Sequence, residues 1–254
     1  MHTSTPHVDY DKQVRSFCWR TLRDSNKALW LRLFEQYLGL GNLSRVVDIG
    51  CGTGRFAELI AGKFKCTVVG VDLSLGMLSA VKEKKGNYAN WCQATVENLP
   101  FANESFDVCF SSFVIHHIQD KPRALAEVYR TLCNNGRVGI RYLSHEQLYQ
   151  DPLYRFFPAA LEIDLQRAPS LSEIRALLQH AGFICIEEKI LCQTRAESAQ
   201  EYLNKLRNRY TSSLALLSEE EYQCGVEKAT SHFATHDLDE SEREQEITFL
   251  VYGK

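Results

Sequence analysis

The chain has 254 residues, 44% of them hydrophobic and 24% charged, with a formal net charge of −3. That length gives one substantial core and room for a cap, but not two independent domains, and the composition is that of an ordinary folded domain. The longest basic run is Lys82-Glu83-Lys84-Lys85, too little for the basic face of a nucleic-acid enzyme, so no nucleic-acid partner is expected.

In chain order, residues 1–8 read as a loose tail and Tyr10 to Leu40 as two helical stretches. The second, Asn26 to Leu40, carries apolar residues at 29, 30, 33, 34, 37 and 38, a stripe that packs on a sheet. The first strand, Arg45 to Ile49, leads into Gly50-Cys51-Gly52-Thr53-Gly54, and a helix runs from about Thr53 to Lys65. Glycines at a strand-to-helix turn let a ligand touch the main chain, where the free N–H groups of the helix start attract its polar groups. A dinucleotide fingerprint would need its third glycine where Arg55 stands, and Asp48 would put a negative charge beside a pyrophosphate. A nicotinamide enzyme is therefore disfavoured, and a cation-bearing ligand suits Asp48 better. The second strand, Thr67 to Asp72, ends in an acid about twenty residues past the turn, where such folds set a carboxylate against ribose hydroxyls. Leu73 and Met77 follow, with Met77 read either under an adenine or as core.

A third strand spans Tyr88 to Gln93, followed by Ala94-Thr95-Val96-Glu97-Asn98-Leu99-Pro100-Phe101. The fourth ends at Ser111-Ser112-Phe113-Val114-Ile115-His116-His117, and Asp120 caps a helix from Pro122 to Leu132. In the turn Cys133-Asn134-Asn135-Gly136-Arg137 the asparagines are the non-glycine residues that best tolerate a left-handed backbone. Strand five is Val138 to Leu143. An insertion with Leu148, Tyr149, Leu153, Tyr154, Phe156, Phe157 and Leu161 separates it from a helix over Leu171 to Ala181. Strand six is Phe183 to Leu191 and strand seven Glu246 to Tyr252. Between them Ala196 to Leu217 and Glu219 to Phe233 have helical patterns, with Tyr202, Leu206, Tyr210 and Leu214 marking an apolar face.

Nine cysteines are scattered without a Cys-x-x-Cys, which speaks for a reducing, cytoplasmic setting and against a disulfide framework. They are too dispersed to predict a thiol cluster, and no metal site is expected. Met1 to Asp9 lacks an apolar signal core and no apolar run would span a bilayer, so stable membrane insertion is not expected.

Taken together, the acid–glycine turn at 48–54, Asp72, the segment 95–101 and the Ser-Ser-Phe-Val-Ile-His-His segment resemble the class I S-adenosylmethionine (SAM) methyltransferases. The likeness is to the small-molecule branch typified by ubiquinone/menaquinone-biosynthesis enzymes. It implies an α/β fold: a doubly wound, seven-stranded, mostly parallel Rossmann-like sheet with a helical cap. Residues 1–254 would form a single methyltransferase domain, with lid helices at 1–40, a SAM-binding core at 41–143 and substrate-cap insertions at 144–170 and 192–243.

SAM would be the cofactor and S-adenosylhomocysteine its product. The resemblance places Tyr10 near the cofactor's carboxylate, or leaves it as lid packing. It puts Asp48, Gly50, Cys51, Gly52, Thr53 and Gly54 around the cofactor's charged end, Asp72 on the ribose with Leu73 beside it as a cofactor-binding residue, and Met77 and Leu78 beneath the adenine. Thr95 and Val96 would meet the adenine edge, and Ser111 the sulfonium side. Thr95 departs from the family's Asp or Asn and accepts a hydrogen bond more weakly. His116 is the candidate general base; the alternative is a histidine pair bonded to backbone at a helix start. The expected partner is a small-molecule substrate, hydrophobic or aromatic by the composition of the insertion, with a homodimer left open. A catalytically idle SAM-binding scaffold is the alternative function.

Overall fold

Alternation along short β-branched runs sorts one sheet into two apolar faces. The computed structural model describes residues 8–18, 22–83 and 88–254. Its strands are β1 Arg45–Ile49, β2 Thr67–Asp72, β3 Asn90–Gln93, β4 Phe106–Ser112, β5 Leu132–Tyr142, β6 Ile184–Thr194 and β7 Glu244–Gly253. They lie in the order β3-β2-β1-β4-β5-β7-β6. All neighbours from β3 to β5 pair in parallel, and β7 runs antiparallel to both β5 and β6. The doubly wound sheet, parallel except at its last strand, is the one the sequence implied. Strand order reverses between β1 and β4, so a crevice opens outside their carboxyl ends.

Helices α1 Tyr10–Cys18 and α2 Asp24–Leu33 precede the sheet, and α3 Arg55–Phe64, α4 Leu75–Glu83 and α5 Lys121–Thr131 are its crossovers. After β5 come α6 His145–Gln150, α7 Leu153–Phe156, α8 Pro158–Arg167 and α9 Leu171–His180; between β6 and β7 lie α10 Ala199–Arg207, α11 Glu219–Phe233 and α12 Glu240–Arg243. On one face Val46, Val108, Phe110 and Phe249 pack with Trp30 and Phe34 and with Phe56 and Ile60 of α3. On the other, Val47, Ile49, Cys109 and Ile140 meet Leu125 and Val128 of α5 and Ile174 and Leu178 of α9. Trp30 is fully buried and meets Phe56 and Phe249 edge-on at 5.6 and 5.2 Å. Such pairs add about 0.5–1.5 kcal/mol each beyond the area they bury. The stripe read over Asn26 to Leu40 is thus α2 plus a wider turn over Phe34–Leu38, stopped by Gly39 at φ +65°.

A third core belongs to the cap, where Phe156, Phe157, Tyr202, Leu206, Leu214 and Tyr222 pack together. Here the structure departs from the helix expected over Ala196 to Leu217. The helix stops at Arg207 because Arg209 turns left-handed, φ +47°. Its N–H bonds to the Leu206 carbonyl and that of Tyr210 to the Lys205 carbonyl, at 3.0 and 3.2 Å. This C-terminal pattern usually recruits glycine. The arginine is held there by its own side chain, which stacks 3.7 Å over the Tyr222 ring and donates to the Leu214 carbonyl at 3.1 Å. At the other unusual turn Asn135 is left-handed, φ +64°, so β5 begins at Leu132 and rejoins its register at Arg137. Of the expected loose tail, residues 1–7, and of the basic run, Lys84 and Lys85, lie outside the described residues.

Candidate active site

β1 carries Asp48 and the glycine turn to the carboxyl edge of the sheet. Gly50 adopts φ +62°, and a Cβ there would stand 2.3 Å from Val114; the turn can pass under the segment after β4 only without a side chain. A cavity of about 850 Å³ begins at this turn and extends to the cap, within the range of small-molecule sites.

Most residues nominated by the sequence converge on this cavity: Tyr10, Asp48, Gly50, Cys51, Gly52, Thr53, Asp72, Leu73, Met77, Thr95, Val96 and His116 line it. Gly54 and Ser111 are not among the lining residues. Gly54 makes the turn into α3 at φ +76°, and a Cβ on it would meet the Trp91 ring at 2.8 Å. Alternation along β4 presents Ser112 to the cavity instead, and its Oγ accepts from Arg141 Nη1 at 3.0 Å.

Asp48 is 2% exposed, and its Oδ2 has no hydrogen-bond partner. Burial pushes its carboxyl up to about 7, with the Ala57 N–H and Arg55 pulling the other way and Asp72 adding to the rise. A buried carboxylate with an orphan oxygen is the group that a cationic ligand completes. Asp72 is pinned from both sides, Oδ2 accepting from the Gly52 N–H at 2.7 Å and Oδ1 from the Ser74 N–H at 2.9 Å. Burial raises its carboxyl too, against those two N–H groups. The lid is tied to the same place: Asp11 of α1 accepts from Ser74 Oγ at 2.6 Å and from the Gly76 N–H at 2.8 Å, capping the start of α4. Thr95 donates its hydroxyl proton to Glu97, which leaves the oxygen able to accept.

The histidine pair sits at the cavity wall with ring centroids 3.9 Å apart. The sequence singled out His116, yet it is His117 that hydrogen-bonds the Tyr10 hydroxyl, the two rings edge-on at 5.1 Å. A tyrosine from the lid and an imidazole from the short turn Ile115–His117 after β4 therefore meet across more than a hundred residues.

Sequence reasoning missed a group of polar residues on the cap side. Arg141, 2% exposed, lies 3.9 Å over the Phe113 ring. Its signal was a charge inside the otherwise apolar run Val138 to Leu143. Asp151 and Arg195 form an ion pair at 2.7 Å, each side chain 4% exposed. Arg23, Lys205 and Gln245 also line the cavity, with Tyr210 of the expected apolar face; Arg23 and Gln245 meet partners 178 and 94 residues away, so no local pattern announced them. Of the aromatic insertion, Leu148, Leu153 and Tyr154 reach the cavity, whereas Phe156, Phe157 and Leu161 belong to the cap core and Tyr149 is 66% exposed.

Residues 47–140 match the family described as Methyltransferase domain. The chain is 28% identical over 177 residues to a 2-phytyl-1,4-naphtoquinone methyltransferase of Thermosynechococcus vestitus, covering 61% of this chain and 79% of that one. It is 34% identical over 116 residues to a malonyl-[acyl-carrier protein] O-methyltransferase of Serratia marcescens, covering 44% of this chain and 45% of that one. The segment shared with the latter is less than half of that enzyme. Among solved structures, a methyltransferase ascribed to an antibiotic biosynthesis pathway of Anabaena variabilis superposes with a TM-score of 0.74 at 21% identity, over 89% of this chain and 96% of that one.

Fold and matched segment set the class that the chain resembles: residues 47–140 are similar to the Methyltransferase domain family, within a doubly wound sheet of the SAM-dependent methyltransferase kind. Within that class it is similar to the quinone-biosynthesis methyltransferases that act on small molecules. Among the described residues no helix is long and apolar enough to cross a membrane.

Proposed function

We propose that this chain moves a methyl group from SAM to a small molecule whose apolar or aromatic body lies between the glycine turn and the cap. One observation carries the reading. A single cavity joins the cofactor-type residues Asp48, Gly52 and Asp72 to an acceptor-side wall of Phe113, Val114, Leu143, Leu148, Leu153 and Tyr154. The sulfonium of SAM supplies an already activated methyl carbon. The remaining work falls to the chain: to hold the acceptor atom within about 3–3.5 Å in line, and to keep water out.

Asp72, fixed by the Gly52 and Ser74 N–H groups, is placed to accept ribose hydroxyls, and Asp48 to face positive charge. At Gly52, where nothing lies within 4 Å of the place a Cβ would take, a ligand can approach the main chain. Tyr10 and Asp11 bring the lid over this end. An acceptor that must lose a proton finds the imidazoles of His116 and His117 at the wall, the side chain used most often as a general base. An acceptor already nucleophilic needs only the alignment.

Two measurements test the reading. Titration calorimetry should show saturable SAM and S-adenosylhomocysteine binding by the wild-type chain. Incubation with methyl-labelled SAM and a small-molecule cell extract should then place label in a metabolite. Binding without transfer would leave a SAM-binding scaffold, and absence of binding would remove the function altogether.

A further inference from the structure

The cavity is electrically two-ended. Asp48, Asp72 and Glu97 outnumber Arg55 at the glycine-turn end, while Arg23, Arg195 and Lys205 line the cap end beyond β6, alongside Asp151, Asp164 and Glu201. Balancing donors against acceptors at the cap end shows what is missing. Every carboxylate there is occupied. Asp151 accepts from the Leu153 N–H, Arg195 and Gln245. Asp164 accepts from Tyr154 and Arg167, and Glu201 from Arg23, the Glu197 N–H and Lys205. The donors are not used up. Arg195 gives one nitrogen to Asp151 and leaves Nε and Nη1 without an acceptor, and Arg167, 1% exposed at its side chain, leaves the same two. A guanidinium has five N–H donors and accepts nothing, and buried donors in folded proteins are almost always paired. Unpaired donors on the buried guanidinium of Arg195, whose carboxylate neighbours are already engaged, suit a group that brings lone pairs and negative charge to this wall.

We propose that the methyl acceptor carries a carboxylate, received by this cationic wall while the rest of the molecule points to the sulfonium. Lys205 and Arg23, with side chains 32% and 22% exposed, make the first contact. Arg195 adds positive charge from behind and is kept in place by Asp151. The inference rests on the reading of the cavity as a methyltransferase site, and it narrows the acceptor from any apolar or aromatic metabolite to an acid with an apolar or aromatic body. Charge-assisted hydrogen bonds of this kind are about twice as strong as neutral ones, enough to separate an acid from its amide in a water-poor cavity.

The test divides a small-molecule cell extract on an anion-exchange column and offers each half, with methyl-labelled SAM, to the whole protein. Label should enter the retained, acidic half at least tenfold more than the flow-through. Treating the retained half with a phosphatase should leave the labelling intact, whereas converting its carboxyl groups to amides with carbodiimide and ammonia should remove it. The Lys205→Met chain should lose at least tenfold in labelling yet bind S-adenosylhomocysteine as the wild type does, and Lys205→Arg should restore most of it. Label confined to the flow-through, labelling that survives amidation, or labelling lost to phosphatase would each overturn the proposal. So would a Lys205→Met chain that labels at the wild-type rate. Labelling of neither half despite normal S-adenosylhomocysteine binding would instead defeat the methyltransferase reading on which it stands.

Discussion

Asp72 shows how far a single position can be read and what the structure adds. Its distance from the glycine turn marked it as a ribose carboxylate. The structure adds that the turn itself orients it, through the Gly52 N–H at 2.7 Å, with the next helix start on the other oxygen at 2.9 Å. Hydrogen bonds to a charged group contribute about 1.5–3 kcal/mol, or roughly a 10- to 150-fold change in Kd. Asp72→Asn keeps the shape but loses the charge and one of the two backbone acceptors. It should weaken SAM by at least tenfold in a calorimetric titration while the circular dichroism spectrum stays that of the wild type; an unchanged Kd would remove the residue from the site. The residues that escaped notice, Arg141, Asp151, Arg195 and Gln245, share a physical reason. Each is explained by a partner that the chain brings back from far away: Ser112, Arg195 and Gln245 are 29, 44 and 94 residues from the side chains they meet. A spacing rule cannot see such pairs, whereas the glycine turn and Asp72 belong to one β–α–β unit whose geometry is local.

At the scale of elements, strands and crossover helices followed from alternation and from the 3.6-residue stripe, because each buries one face against one layer. Turns followed only where a residue type announced itself. Asn135 did, and it stands at φ +64°. Arg209 did not: nothing about an arginine predicts φ +47°, and the helix expected to run to Leu217 ends at Arg207 because side-chain contacts to Tyr222 and Leu214 hold the chain there. The cap was foreseen as helical with an apolar face, and Tyr202, Leu206 and Leu214 of that face do fill its own core; which residues of the aromatic insertion turn to the cavity instead is a distinction that composition alone does not make. The Asn135 turn gives a clean test. A left-handed conformation costs a residue with a Cβ roughly 1–2 kcal/mol, glycine little, and asparagine lies between. Asn135→Ala should therefore lower the stability by about 1 kcal/mol in urea unfolding, and Asn135→Gly should leave it within about 0.5 kcal/mol of the wild type. Equal losses in both would mean that the asparagine side chain, not the backbone angle, holds the β4–β5 register.

For the whole molecule, the site and the fold are coupled through Asp48. Burial raises its folded carboxyl to about 7 from an ordinary value of 3.8, so between those limits the folded chain holds a proton that the unfolded chain has released. By linkage this group favours the folded state at low pH, and its contribution declines as pH rises from about 4 to about 7, then stays level. Binding runs the opposite way. A cationic ligand favours the ionised carboxylate, so SAM should bind more tightly as pH rises towards 7, by up to about tenfold per unit, and level off above it. Both slopes should shrink together in Asp48→Asn, which keeps the shape and cannot ionise, leaving what the raised carboxyl of Asp72 contributes. That variant should melt a few degrees above the wild type at pH 8 without ligand, where the buried charge no longer opposes folding, yet gain less from saturating SAM. At a hundred times its Kd a ligand adds about 2.7 kcal/mol to stability, so differential scanning calorimetry with and without SAM at pH 6 and pH 8 resolves all four states. A wild-type SAM gain in Tm that is larger at pH 8 than at pH 6, set against a clearly smaller difference in Asp48→Asn, would show that the orphan carboxylate at the glycine turn is where the chain accepts its ligand's positive charge. The same pH-dependent gain in the variant would place that charge elsewhere.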